Sequence, residues 1–223
     1  VPSETALSSH FGEMELVGNT PTVLVKTTPL SGGYVVVKRI FDLLFSILGI
    51  LVTAIPMMVI WLVLKLSDIK YSPIYKDERL TQYNRKFKCY KFRSMKPEYS
   101  GMTADEAFLK MGKPELIRKY RRNGDYLKND PRITKFGKFL RKTSLDELPE
   151  LINILKGDMA LVGPRPQLVR DMVFMTKEQR VRHSIRPGLT GLAQVCGRNN
   201  ITWEQKLQYD LTYIRSGITL WGD

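Results

Sequence analysis

The stretch TSLDELPELINILKGD (Thr143 to Asp158) sets two carboxylates side by side, Asp146 and Glu147, at the start of a segment with helical periodicity. Free N–H groups and the positive end of a helix dipole at such a place favour an ionised carboxylate and also attract phosphate oxygens. An ionised Asp146 could attack phosphorus as a nucleophile. Glu147 could meanwhile hold a divalent metal that neutralises the phosphates, since two adjacent like charges otherwise disfavour each other. The plainer reading is capping, because Ser144 and Glu147 have the S-x-x-E spacing of a capping box. Pro149 would fall just beyond the first turn if Ser144 caps and comfortably inside it if Asp146 caps. Taken alone, acidic pairs at helix starts are more often caps than catalysts.

The surrounding arginines shift that balance. Arg132 in NDPR, Arg141, Arg165 in GPRP, Arg186 in RPGLTG and Arg198 in CGRN sit in or beside Gly/Pro-rich turns, where a guanidinium is preorganised to clamp phosphate. Arg93, with Lys91, falls on the polar face of an alternating segment, FKCYKFRSM. Asp210 lies on the same helical face as Trp203, Leu207, Leu211 and Ile214. A buried Asp there is either satisfied by a structural Arg or Lys or belongs to an active site. His183, among Arg180, Arg182 and Arg186, reads as a surface residue. With His10 as the only other imidazole, a Ser/His/Asp triad or a His-rich zinc site is hard to assemble, and neither a Walker loop nor a dinucleotide fingerprint occurs.

These residues need a scaffold, and 223 residues suffice for one domain with a core, or for a small domain plus a membrane element. The formal charge of +13 is the unusual number. It belongs to the part after Val37, because residues 1 to 37 hold one Lys and three Glu. Such a surplus suits nucleic acid, an anionic membrane surface or phosphorylated small molecules. Cys89 and Cys196 are too few for a disulfide framework and fit a reducing compartment.

Residues 1 to 37 read as a linker or the tail of an upstream domain. Ile40 to Leu66 is almost wholly apolar, interrupted by Asp42 and Pro56 and bracketed by Lys38, Arg39, Lys65 and Lys70. A helix of that length, about 40 Å, could span a bilayer core of about 30 Å. Positive charge at both ends and Pro56 inside argue equally for a re-entrant hairpin. Downstream, two strands ending in FKCYKFRSM form a hairpin, and Gly112 and Pro114 divide residues 103 to 123 into two short helices. ITKFGKFLRK (Ile133 to Lys142) makes a basic amphipathic helix suited to a headgroup layer. A helix from Asp146 to Lys156 then ends at Gly157.

KRIFDLLFSILGILVTAIP (Lys38 to Pro56), YKFRSM (Tyr90 to Met95), DPRITKFGKFLRKTSLDELPELINILKGDMALVGPRP (Asp130 to Pro166) and RPGLTGLAQVCGR (Arg186 to Arg198) together resemble the bacterial sugar transferase family, the monotopic phosphoglycosyl transferases. The resemblance implies a mainly helical α+β fold. A re-entrant membrane helix over 38–70, broken at Pro56, would carry a cytoplasmic transferase domain over 71–223 with a small β-hairpin, on the inner membrane of a bacterium.

The implied reaction begins with attack of Asp146 on the sugar-bearing phosphate of a UDP-sugar, which expels UMP. Polyprenyl (undecaprenyl) phosphate then takes the phosphosugar, the first membrane step of surface polysaccharide or glycoconjugate synthesis. Glu147 would help hold Mg²⁺, Arg165 matches the PRP arginine and Asp210 a late acidic position. The implied partners are UDP-sugar, polyprenyl phosphate and an anionic bilayer, without nucleic acid and with room for a homo-oligomer. One departure is RLTQYNRKF (Arg79 to Phe87), where the family usually has a Gly-containing turn. The rival reading is a membrane-tethered basic protein that binds anionic lipid or nucleic acid while the acidic pair only caps a helix.

Overall fold

The computed structural model describes residues 14–17, 20–23, 32–122, 127–197 and 201–215. In the first two stretches β1 (Met14–Val17) and β2 (Thr20–Val23) pair antiparallel. The apolar run forms one helix, α1 (Gly32–Ser67), which begins six residues before the membrane segment expected from the sequence. Its backbone is helical through Pro56. The missing N–H there removes one rung of the ladder, so the break expected at Pro56 is not a gap between two helices. Large apolar side chains remain exposed along most of α1, including Leu51, Val52 and Ile55, as a lipid-facing surface requires.

One side of α1 is not exposed. Asp42 accepts a hydrogen bond from the Leu161 N–H (2.9 Å), Ile50 packs on the cluster of Phe87, Cys89, Leu151, Ile154 and Met159, and Ile60 and Leu64 join Phe92 and Leu140 in a second cluster. The helix is therefore held against the rest of the chain near both ends and in the middle.

The expected hairpin is present: β3 (Ile74–Leu80) pairs antiparallel with β4 (Lys86–Phe92). Its turn takes the left-handed region at two non-glycine residues, Tyr83 (φ 59°) and Asn84 (φ 58°), so Asn and even a bulky Tyr occupy a conformation that glycine adopts without steric penalty. The two helices expected next are α2 (Ala104–Lys110), with a capping box from Thr103 and Glu106, and α3 (Glu115–Arg122). The basic amphipathic helix is α4 (Lys135–Thr143), capped by Thr134. It approaches Ser94 so closely that a Cβ on Gly137 would lie 1.9 Å from the Ser94 carbonyl oxygen, which restricts this position to glycine.

Beyond α4 the chain differs from expectation. Leu145–Glu147 is a single 3₁₀ turn and α5 starts only at Glu150 (Glu150–Lys156), with Pro149 in the cap position. Gly157 ends α5 with φ 86°, as expected. Then come β5 (Ala160–Val162), β6 (Gln167–Leu168), α6 (Lys177–Arg180), β7 (Gly188–Thr190), α7 (Leu192–Cys196) and α8 (Trp203–Arg215). β6 adds a short antiparallel edge to β3, while β5 and β7 form a separate parallel pair. Neither addition was evident from alternation, because strands of two or three residues are too short to show it.

Candidate active site

Asn153 fixes α5 against β4. Its fully buried amide donates to the Lys88 carbonyl (2.8 Å) and accepts from the Tyr90 N–H (2.9 Å). That two-point bond sets the register between the strand carrying Lys91 and the turn and helix carrying Asp146, Glu147 and Glu150. Lys91 Nζ accordingly lies 2.7 Å from Glu147 Oε1 and 2.8 Å from Glu150 Oε1. From the opposite side Arg165 Nη2 reaches the same Glu147 oxygen at 2.8 Å.

The capping reading of the acidic pair fails on this geometry. Ser144 sits in the left-handed region (φ 60°) and its side chain makes no cap bond. The Glu147 carboxylate, instead of turning back to the Ser144 N–H, accepts from Lys91 and Arg165. Pro149 stands in the cap position of α5, so the acidic turn lies outside the helix.

The two carboxylates differ electrostatically. Burial works to raise the Glu147 carboxyl, but Arg165 and then Lys91 overcome it and bring the group down to about 2, so Glu147 is firmly ionised. Asp146 is 8% exposed. Burial is the largest influence on its carboxyl and pushes it up, with Lys91 and Arg141 opposing and Glu147 adding to the rise. Its environment is thus not the stabilising helix end expected from the sequence. A carboxylate made more basic by burial is the better nucleophile of the two.

The other expected site residues divide. Arg141 donates to Ser94 Oγ (2.8 Å) and lies close enough to Asp146 to influence its charge. Arg165 is half exposed and free on its outer side to meet a ligand. Arg93 is buried and donates to the carbonyls of Leu64 (3.1 Å) and Ser72 (3.2 Å), tying the end of α1 to β4. Arg132 forms a buried multidentate pair with Asp130 and lies over the rings of Phe108 and Tyr120. Arg186 has a buried Nε without a hydrogen-bond partner and lies near enough to Arg39 for their charges to repel. Arg198 lies outside the described residues.

Asp210 is 3% exposed and pairs with Arg182 at 2.7 Å. Arg182 also donates to Gln167 Oε1 (2.6 Å) and to the Arg165 carbonyl (2.8 Å). Asp210 therefore supports, through Arg182, the turn that presents Arg165. His183, expected at the surface, is buried, with Nε2 unpartnered. Lys91 and Glu150 were not among the expected site residues. Alternation had put Lys91 on the polar face of its strand, and Glu150 stands three residues after Glu147, a spacing that brings two side chains together on a helical turn.

The bacterial sugar transferase family model matches residues 33–223, and the chain belongs to that family. Among similar proteins, the undecaprenyl-phosphate galactose phosphotransferase of Salmonella typhimurium is 41% identical over 187 residues, 83% of this chain and 38% of that protein. The UDP-glucose:undecaprenyl-phosphate glucose-1-phosphate transferase of Escherichia coli K12 is 33% identical over the whole chain and 45% of its own length. The exopolysaccharide production protein ExoY of Rhizobium meliloti is 36% identical over 80% of this chain and 77% of its own length. The chain thus spans about two fifths of the first two relatives.

Proposed function

We propose that this protein transfers a sugar 1-phosphate from a UDP-sugar to polyprenyl phosphate, as an initiating step of surface-glycan synthesis. The observation that carries the reading is the separation of roles in one acidic turn: a buried, more basic Asp146 beside a firmly ionised Glu147 gripped by Lys91 and Arg165. The names of the relatives supply the substrate class.

In the first step an Asp146 oxygen forms a bond to the sugar-bearing phosphorus of the donor. The phosphoanhydride bond breaks and its electron pair leaves with UMP. In the second step an oxygen of polyprenyl phosphate attacks the same phosphorus, giving a polyprenyl-diphosphate sugar and releasing the Asp146 carboxylate. Arg165, Lys91 and Arg141 would receive phosphate oxygens, where oriented cations offset charge that builds up during phosphoryl transfer.

Mg²⁺ fits Glu147. The carboxylate is ionised, as a metal ligand must be, and Lys91 and Arg165 on its Oε1 would have to make room for the ion. Among the described residues no three His, Cys, Asp or Glu side chains form a ligand group, which suits an ion bound through one or two carboxylates and completed by substrate phosphates. When bound, it would neutralise phosphate charge.

The attachment of α1 supports a re-entrant arrangement. Asp42 bonds to Leu161 and Leu64 to Arg93, so one polar domain touches both ends of the apolar helix. A straight span would carry one end about 30 Å through the hydrocarbon, away from that domain. A bend at Pro56 would let both ends stay on the cytoplasmic face of the inner membrane.

The test is Mg²⁺-dependent UMP release in detergent with polyprenyl phosphate and a panel of UDP-sugars, together with intact mass for a phosphosugar adduct. Asp146→Asn should abolish both signals. Full retention of either by that variant sinks the reading.

A further inference from the structure

Glu150 is 3% exposed and takes part in neither step above. Its Oε1 lies 2.8 Å from Lys91 Nζ, whose other carboxylate partner, Glu147 Oε1, is at 2.7 Å. One ammonium therefore bridges two carboxylates, while Glu147 alone also receives Arg165. Cys89, next to Glu150, stays a neutral thiol, because burial and then Glu150 itself push it up to about 12, so it does not compete for Lys91.

This arrangement sets a competition. A divalent cation approaching Glu147 meets an ammonium and a guanidinium on the same oxygen, and both repel it. Lys91 has a flexible stem and compact head and a second carboxylate already in contact. It can give up Glu147 and keep an ion pair, whereas an unpaired charge in a buried site is strongly unfavourable.

We propose that Glu150 is a positioning residue that retains Lys91 when Glu147 turns to a divalent cation, so that the metal and the ammonium occupy the site together. The inference rests on the metal reading of Glu147. Without Glu150 the remaining salt bridge of the ammonium is the one to Glu147, and the metal must displace it.

The probe is Mn²⁺, with bound and free ion separated by electron paramagnetic resonance on the full chain in detergent without substrate. Glu150→Gln should weaken Mn²⁺ binding about tenfold, as loss of a close buried charge contact does, with the melting temperature little changed. In turnover the half-saturating metal concentration should rise by more than kcat falls. Lys91→Met should bind Mn²⁺ more tightly than wild type, having lost the competitor; should Glu150→Gln fail to fold, weaker or equal binding by Lys91→Met overturns the proposal.

The double variant separates this role from a general loss of negative charge. If Glu150 acts through Lys91, Glu150→Gln has about a twofold effect or less in the Lys91→Met background, since residues acting through one contact are not additive. A tenfold effect persisting there, or wild-type affinity in Glu150→Gln alone, overturns the proposal. Absence of Mn²⁺ binding by the wild-type chain overturns the metal reading and this inference with it. UMP release that needs Asp146 would still stand.

Discussion

The guanidinium of Arg39 lies 2.7 Å from the carbonyl oxygen of Ile154 and 3.0 Å from that of Leu155. A residue near the start of the apolar helix thus satisfies the last turn of α5, whose other end carries the acidic turn. The Ile154 carbonyl also accepts from the Gly157 N–H (3.0 Å), so Arg39 supplements the glycine cap where a helix end leaves carbonyls over. Arg39→Ala should destabilise the chain by about 1.5–3 kcal/mol, the range for hydrogen bonds with one charged partner. Arg39→Lys should recover only part, because a single ammonium does not span two carbonyls as a planar guanidinium does. Thermal melting in detergent checks both, and an Arg39→Ala variant as stable as wild type refutes this anchoring.

Asp146 should show a conflict between stability and activity. Burial raises its carboxyl, so the acid favours the folded state below its ordinary value and that contribution is lost as pH rises. At neutral pH the ionised group is a burden on the fold. Asp146→Asn should then be inactive yet more stable by about 0.5–2 kcal/mol, as is common when a functional group is removed. The gap should narrow as pH falls into the acid range, where the raised carboxyl of wild type also becomes neutral. An Asn variant that melts below wild type at pH 7 would show that the ionised carboxylate supports the fold.

The apolar helix, the hairpin, α4 and the acidic pair were legible because each follows from local pattern: a long apolar run, alternation, 3.6-residue periodicity, and residue types that suit phosphate. Three things were not local. The helix begins at Glu150 with Pro149 in the cap position rather than at Asp146, and the Asn153 amide holds it against β4, a long-range contact that capping rules do not contain. Lys91 comes from a strand 56 residues away from Glu147, a pairing that no spacing within either segment encodes. Arg93 and Arg132 resembled phosphate ligands in sequence, yet their donors serve backbone carbonyls and Asp130. Turn context alone does not separate an arginine that awaits a ligand from one already satisfied.

Asp210 should matter without touching substrate. It is paired with Arg182, which in turn holds the Arg165 carbonyl. Asp210→Ala leaves a buried guanidinium without its carboxylate and should lower stability by about 3–5 kcal/mol. Replacing both partners by apolar residues, as in Arg182→Met with Asp210→Leu, should recover much of the stability. It should not recover activity, because Met cannot donate to the Arg165 carbonyl. Denaturant melts and UMP release measured on the same samples distinguish the two effects. Recovery of turnover along with stability would show that Arg165 does not depend on this support.

His183 gives the fold an acid-sensitive element. It is 6% exposed with Nε2 unpartnered, and burial, then Arg182 and Arg180, bring its imidazole down to about 4. The folded chain therefore holds it neutral at pH 7, whereas an unfolded His takes up a proton near pH 6.5. Its contribution to stability is complete above pH 6.5 and is lost as pH falls through the window down to about 4. Asp210 acts in the opposite sense. Burial raises it to about 6 against the pull of Arg182, so its contribution grows as pH falls below that value. Glu147, at about 2, loses its contribution only below the ordinary carboxylate range. Comparison of wild type with His183→Gln isolates the imidazole, since both chains share the two carboxylates. Between pH 7 and pH 5 wild type should lose about 2 kcal/mol more than the variant. Equal losses across that interval would mean that His183 accepts its proton as readily in the folded chain as in the unfolded one.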